Sequence, residues 1–369
     1  MKIFWKKYRL ALCVLLAVIC GAAGLYGLEA LQMDPRSSTV YIGDPTAFLY
    51  GQDGRKYVIA GGSTSILVLN AADEYVSTIP GGRQTQGFYY AQTLASDDQG
   101  NLYIHDRLIS DNGKGVATER IAVYDSSGAF VDYLYEQPHD LDTNGENRNR
   151  IQGMAWLDGA LCFVRVDGDS FSLCRLDTET GEVSDQAVYA YPEAYRYLMY
   201  AAISSDGKVY FSDKNGSVWQ AAETGEHICI YDAAANGTED FYSIATNLAC
   251  APDGSVYFND VGQREIRRIL PDGTVETAVG RGEPMMEAPE SFNEYPIYSY
   301  IGVTPEGGLA TIYCEYYYDE AYGDYVYDYC IYAEDAQGSV LLNTAEVNKS
   351  FPIQAWGWVA VGAFAILAV

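Results

Sequence analysis

The sequence predicts an all-β fold, a six-bladed β-propeller of four-stranded antiparallel blades, and three observations carry that prediction. A decapeptide of the type APDGSVYFND recurs along the chain, its turn glycines are spaced near fifty residues apart, and a second turn signal follows each first one. A repeat of that length with alternating apolar strands marks a propeller, not a helical solenoid.

The clear copies are DDQGNLYIHD (97–106), SSDGKVYFSD (204–213) and APDGSVYFND (251–260). Weaker ones are GQDGRKYVIAGG (51–62), WLDGALCFVRV (156–166) and TPEGGLATIYC (304–314). Their glycines, Gly54, Gly100, Gly159, Gly207, Gly254 and Gly307, lie 46, 59, 48, 47 and 53 residues apart. The second turns read VLNAADEYV, VYDSSGAFV, RLDTETGEV, WQAAETGEHI, ILPDGTVET and YAEDAQGSVL. Each unit is therefore strand, tight hairpin, strand, loop, strand, tight hairpin, strand. Gly, Asp and Asn supply the left-handed positions such hairpins need, and runs such as Val256-Tyr257-Phe258 suit a pleated surface.

The pattern Asp-Gly-x-hydrophobic-Tyr-hydrophobic-x-Asp, then Arg-Ile, then acidic-x-Gly, resembles the NHL-repeat propellers and the related gluconolactonase and strictosidine-synthase-like group. APDGSVYFNDVGQREIRRILPDGTV (251–275) carries it best, and the resemblance spans about residues 44 to 345. It implies an architecture shared by enzymes, receptors and scaffolds.

The ends of the chain point to a membrane. MKIFWKKYR, with Lys2, Lys6, Lys7 and Arg9, precedes 19 uncharged residues (10–28). That run is long for a signal peptide and near the length of a spanning helix. An uncleaved anchor is the preferred reading, with GAA at 21–23 as the alternative cleavage point. The basic flank keeps the N-terminus cytoplasmic and the rest extracytoplasmic. A second apolar run, FPIQAWGWVAVGAFAILAV, closes the sequence without a polar exit and reads as a second anchor of a chain that continues. The expected organisation is a cytoplasmic tip and anchor (1–31), a linker (32–43), the propeller (44–345), and a linker with the second transmembrane segment (346–369). The localisation expected is a bacterial-type cell membrane.

Fifty acids oppose 23 bases, a net charge of −27, and every acid falls between Glu29 and Glu346. Such a surface repels phosphates, which excludes nucleic acid as a partner.

In a blade of this strand order the two tight hairpins share one face and the longer connections share the other, where binding on a rigid scaffold concentrates. The inner strand of each blade starts on the long-loop face, so its first residues ring the channel mouth. Counting back from the turn glycines gives Ala47, Thr93, Gln152, Tyr200, Asn247 and Tyr300, with Gln92 as an equal choice to Thr93. The resembled lactonases hold a divalent cation in the channel through carboxylates and an asparagine. Here only Asn247 matches, and hard cations need several oxygen ligands. The ring suits a neutral polar ligand, a sugar or a peptide, bound without catalysis. Side chains that merely plug the channel, a metal-dependent hydrolase and an assembly scaffold for a membrane or cell-surface protein are the competing readings.

Lesser signals complete the picture. DLDTNGENRNRI (140–151) opens like a calcium loop at Asp140, Asp142 and Asn144, but Arg148 and Ile151 break its ending. No cofactor is expected beyond calcium at that loop, and a plain solvated loop is the preferred reading. Asp106, Asp213 and Asp260 end second strands and are expected to accept backbone hydrogen bonds at the corner. The three histidines fall in unlike positions and read as incidental. Cys162 with Cys174, and Cys314 with Cys330, occupy facing strands, where disulfides or free thiols are both open. The Tyr-rich stretch 314–330 reads as a long hairpin with one tyrosine-lined face.

Overall fold

The computed structural model describes residues 39–40, 45–343 and 347–348, apart from 83–85, 111–114, 140–149, 168–169, 191–197, 214, 224, 237–246, 261–262, 264, 281–296, 320–323 and 336–337. Six four-stranded antiparallel sheets follow one another along the chain, each with its strands in sequence order. The inner strands are Ala47–Tyr50, Ala91–Ser96, Arg150–Leu157, Leu198–Ile203, Leu248–Cys250 and Ile297–Val303. Each lies beside the inner strands of both neighbours, and the first lies beside the sixth, so the ring is closed.

The turn chemistry read from the sequence is present at every blade. All six turn glycines have φ between 73° and 89°, the left-handed region that an L side chain enters only at a cost.

The core is divided among the junctions of the ring. Among the described residues there are six apolar clusters, each joining two adjacent blades. Alternation explains this. Along Lys56–Ala60, Tyr57 and Ile59 pack towards blade two while Val58 and Ala60 pack towards blade six. Both faces of a blade are thus buried against neighbours, which is why these strands read as near-continuous apolar runs.

Among the described residues, no blade borrows a strand from the opposite end of the chain. Closure between the first and last blades comes instead from Phe48, Val58, Leu67 and Leu69 packed against Ala310, Ile312, Ile331 and Ala333. A short antiparallel pair reinforces it, with Thr39 opposite Asn348 and Val40 opposite Val347. Among the described residues, no helix is long and apolar enough to cross a membrane; the two apolar runs, 10–28 and 351–369, lie outside them.

Strand-ending aspartates fix the corners. Asp106 accepts the backbone N–H groups of Tyr89 and Tyr90, both at 2.6 Å, and Arg120 Nε at 2.9 Å. Asp213 accepts from Asn215 N, Ser217 N and the Trp219 indole. Asp260 accepts from Gln263 N and Tyr231 Oη. All three are buried, and their role is structural, as the corner position implied.

In blade six the middle strands, Leu309–Asp319 and Asp324–Asp335, form the long hairpin. The pairing continues for five residues beyond Cys314, where the inner strand begins, and sets Tyr316 opposite Tyr327 and Tyr318 opposite Tyr325.

Of the two alternatives left open for Cys162 and Cys174, the register favours free thiols. Cys162 stands opposite Arg175 and Cys174 opposite Phe163, one residue out of step. Successive strand residues face opposite ways, so Cys162 packs towards blade four and Cys174 towards blade two, and both are free thiols. In the backbone register Cys314 stands opposite Tyr329 and Cys330 opposite Tyr313.

Candidate functional site

The six inner strands enclose an axial channel of about 1230 Å³. Of the residues expected at its mouth, Gln92, Thr93, Gln152, Tyr200, Asn247 and Tyr300 all line it. Ala47 does not, because its side chain turns into the junction between blades one and two. Asp140, Asp142 and Asn144 lie outside the described residues.

The mouth is shaped by β-bulges. Register breaks fall between Ala91 and Thr93, Gln152 and Met154, Leu198 and Tyr200, and Tyr298 and Tyr300. Four of six inner strands therefore carry an extra residue at the same level, and such an insertion bends the strand and re-aims its side chains. Gln92 and Thr93 were interchangeable on spacing alone; the bulge at Gln92 puts both on the channel wall. In blade three the extra residue is Gly153, at φ 61°. A Cβ there would sit 2.5 Å from the carbonyl oxygen of Ala201, so glycine is what allows blades three and four to approach at the axis.

Sequence reasoning missed the charged part of the mouth. Arg107 lies one residue past the Asp106 corner, where the second strand of blade two continues to Ile109. Its Nε donates to Glu119 Oε1 at 3.1 Å and its Nη1 to Gln92 Oε1 at 2.9 Å. Glu119, on the adjacent strand and 2% exposed, also meets His105 Nε2 at 3.2 Å and accepts the backbone N–H of Ile151 in blade three. Burial alone would raise the Glu119 carboxyl; the hydrogen bond and charge of His105, the Arg107 guanidinium and the Ile151 amide outweigh it and hold it below the ordinary carboxylate value. His105 is thus a member of a buried network, and the expectation that it is incidental is corrected. Arg150, which opens the inner strand of blade three, is a second cation on the channel wall. A strand continuing past its corner leaves no mark in the repeat pattern, which explains the omission.

The other lining groups are neutral. Tyr90 and Tyr200 are 37% and 36% exposed, so both present ring surface to a ligand. Tyr300 packs deeper, against Phe48 at 5.6 Å between ring centroids, and burial pushes its phenol up to about 12, so it stays protonated. The described lining contains no Asp or Glu. Among the described residues, no group of three or more His, Cys, Asp or Glu has the spacing to hold a metal ion. That donor set does not fit a hard divalent cation on the axis.

Fold and site together define a six-bladed β-propeller whose hub is an open channel with a polar wall that, among the described residues, holds no carboxylate. No protein-family model and no curated protein matches the chain. Among solved structures it is similar to a streptogramin B lyase, at 14% identity and a TM-score of 0.49, over 83% of this chain and 92% of that one. It is similar to a protein of unknown function from Bacteroides thetaiotaomicron, at 18% identity and 0.49, over 79% and 70%. It is also similar to virginiamycin B lyase from Staphylococcus aureus, at 11% identity and 0.46, over 83% and 94%. At such identities the likeness says nothing about ligand or activity.

Proposed function

We propose that this chain is a membrane-tethered, extracytoplasmic propeller that binds a small polar ligand at its channel mouth without transforming it, as a sensor-type domain. The observation that carries the reading is the convergence of amides, tyrosines and arginines from several blades on one open mouth. Convergent polar groups in a pre-formed concavity are what small-ligand sites are made of. Among the described lining residues Asn247 is not joined by any carboxylate, which supports binding over metal-dependent hydrolysis of the gluconolactonase type. Kinship with the NHL-type propellers rests on the repeat pattern alone.

The tethering rests on the apolar runs at 10–28 and 351–369 and on the pairing of Thr39–Val40 with Val347–Asn348. In every blade the inner strand starts, and the outer strand ends, on the long-loop face. Both tethers therefore leave from the face that bears the mouth, and a ligand reaches it from beside the bilayer.

The test combines binding with topology. The purified full chain is screened on a glycan and peptide array, and the double variant Tyr200→Ala/Gln152→Ala is compared on every hit. Loss of the hits with an unchanged circular dichroism spectrum is expected. Unchanged binding by a folded double variant refutes the site, and failure of extracellular protease to reach the propeller in whole cells refutes the topology.

A further inference from the structure

We infer that the mouth selects an anionic ligand, a sugar-sized molecule bearing a carboxylate that seats on Arg107, with Glu119 and Gln92 as positioning residues. This rests on the reading of the mouth as a ligand site and adds the chemistry that site would recognise.

The first ground is charge segregation. Acids outnumber bases 50 to 23 in this chain, yet the described channel wall holds Arg107, Arg150 and His105 and no acid. The chain as a whole is acidic, whereas the described part of the channel wall presents cationic side chains and no carboxylate.

The second ground is the way Arg107 is held. Two of its three guanidinium nitrogens are committed, Nε to Glu119 and Nη1 to Gln92. Among the described residues Nη2 has no hydrogen-bond partner, and the side chain is 28% exposed. The plane of the group is therefore fixed from behind, while donors remain for something in the channel. Arginine used this way suits an oxyanion, because its planar fork matches a carboxylate and its geometry is set before the ligand arrives.

Glu119 offsets part of the Arg107 charge but does not itself face the channel. It is buried behind the wall, and its two oxygens are shared among Arg107, His105 and the Ile151 amide. Its effect is to orient Arg107 and to tie blade two to blade three beside Arg150. The third ground is the exposed ring surface of Tyr90 and Tyr200 at the same mouth. Flat aromatic faces beside an anion anchor fit a pyranose body with an acid group better than they fit a bare inorganic ion.

The experiment uses the purified full chain and three probes at matched ionic strength: methyl glucuronide, methyl glucoside and inorganic phosphate. Saturation-transfer NMR at millimolar probe reads binding, with phosphate also added as a competitor of the glucuronide. The glucuronide is expected to bind and the glucoside to bind at least about tenfold more weakly, one charge-assisted contact being worth that much. Arg107→Gln is expected to reduce glucuronide binding to the level of the glucoside. The double variant Arg107→Gln/Glu119→Gln, which leaves no uncompensated buried carboxylate, is expected to do the same should the single variant fold poorly. Equal binding of glucoside and glucuronide, unaffected by Arg107→Gln, overturns the anion inference and leaves the mouth standing as a ligand site. Binding of phosphate alone overturns the sugar-acid assignment. Binding that survives Tyr200→Ala/Gln152→Ala removes the mouth reading itself.

Discussion

Replacing Asp106 with Asn should destabilise the propeller more than a conservative change normally does. The carboxylate is fully buried, accepts two backbone N–H groups at 2.6 Å, and pairs with Arg120, itself 9% exposed. The amide has a single oxygen: kept on the Tyr89 and Tyr90 N–H groups it turns an N–H₂ towards the guanidinium, and flipped it gives Arg120 only a neutral oxygen and sets its N–H₂ against the two backbone donors. Breaking a buried ion pair by removing one partner costs about 3–5 kcal/mol. Arg120 retains the Tyr133 ring, 4.3 Å away, and the carbonyl of Gly87 at 3.3 Å, so the lower part of that range, about 3–4 kcal/mol, applies. At about 2 °C per kcal/mol for a domain of this size, Tm falls by roughly 6–8 °C. The assay is urea unfolding followed by tryptophan fluorescence, run beside the Asp106→Asn/Arg120→Met double variant. The double variant should be more stable than Asp106→Asn alone, since the unpaired charge is gone. A single variant within about 1 kcal/mol of wild type, or a double variant with strictly additive losses, refutes the reasoning.

Two further outcomes follow from the packing. His227 lies tilted against Phe171 and edge-on to Phe211, accepts the Ala222 N–H through Nδ1, and meets the Ala190 carbonyl through Nε2. Burial lowers its folded value from 6.5, against a smaller opposing effect of the Ala190 hydrogen bond. Below 6.5 the unfolded chain takes up a proton that the folded chain refuses, so this contribution is complete above that pH and is lost as pH falls towards the folded value. Urea midpoints at about pH 7.5 and about pH 5.5 should therefore separate less in His227→Gln than in wild type; an equal separation contradicts this. Gly153→Ala should cost about 1–3 kcal/mol by forcing blades three and four apart at the axis, read as a lower Tm together with weaker ligand binding. A neutral effect on both would mean that the close approach does not shape the mouth.

The repeat made the architecture legible because its information is local. A glycine at φ near 80° and the strands flanking it are decided within ten residues, and Gly54 and Gly307 are as readable as Gly254 despite their weaker repeats. The position of the mouth was legible for the same reason, since counting along an inner strand needs only the turn and the pleat. What could not be read was offset by one residue. Whether Cys162 and Cys174 face each other turns on a single step of register, and both Gln92 and Thr93 reach the wall through a bulge that propensity does not signal. The Arg107–Glu119–His105 network escaped for a different reason. Its members come from two strands, its anchor point at Ile151 from another blade, and no spacing rule links position 119 to position 151.

The account turns on a channel mouth that binds a ligand through protein side chains. A crystal structure of the propeller grown with methyl glucuronide tests it most directly. Density for the sugar acid between Tyr90, Arg107 and Tyr200, with its carboxylate on the guanidinium, is the predicted result. A metal ion coordinated on the axis, or the sugar bound on the short-hairpin face with the mouth empty, would contradict it.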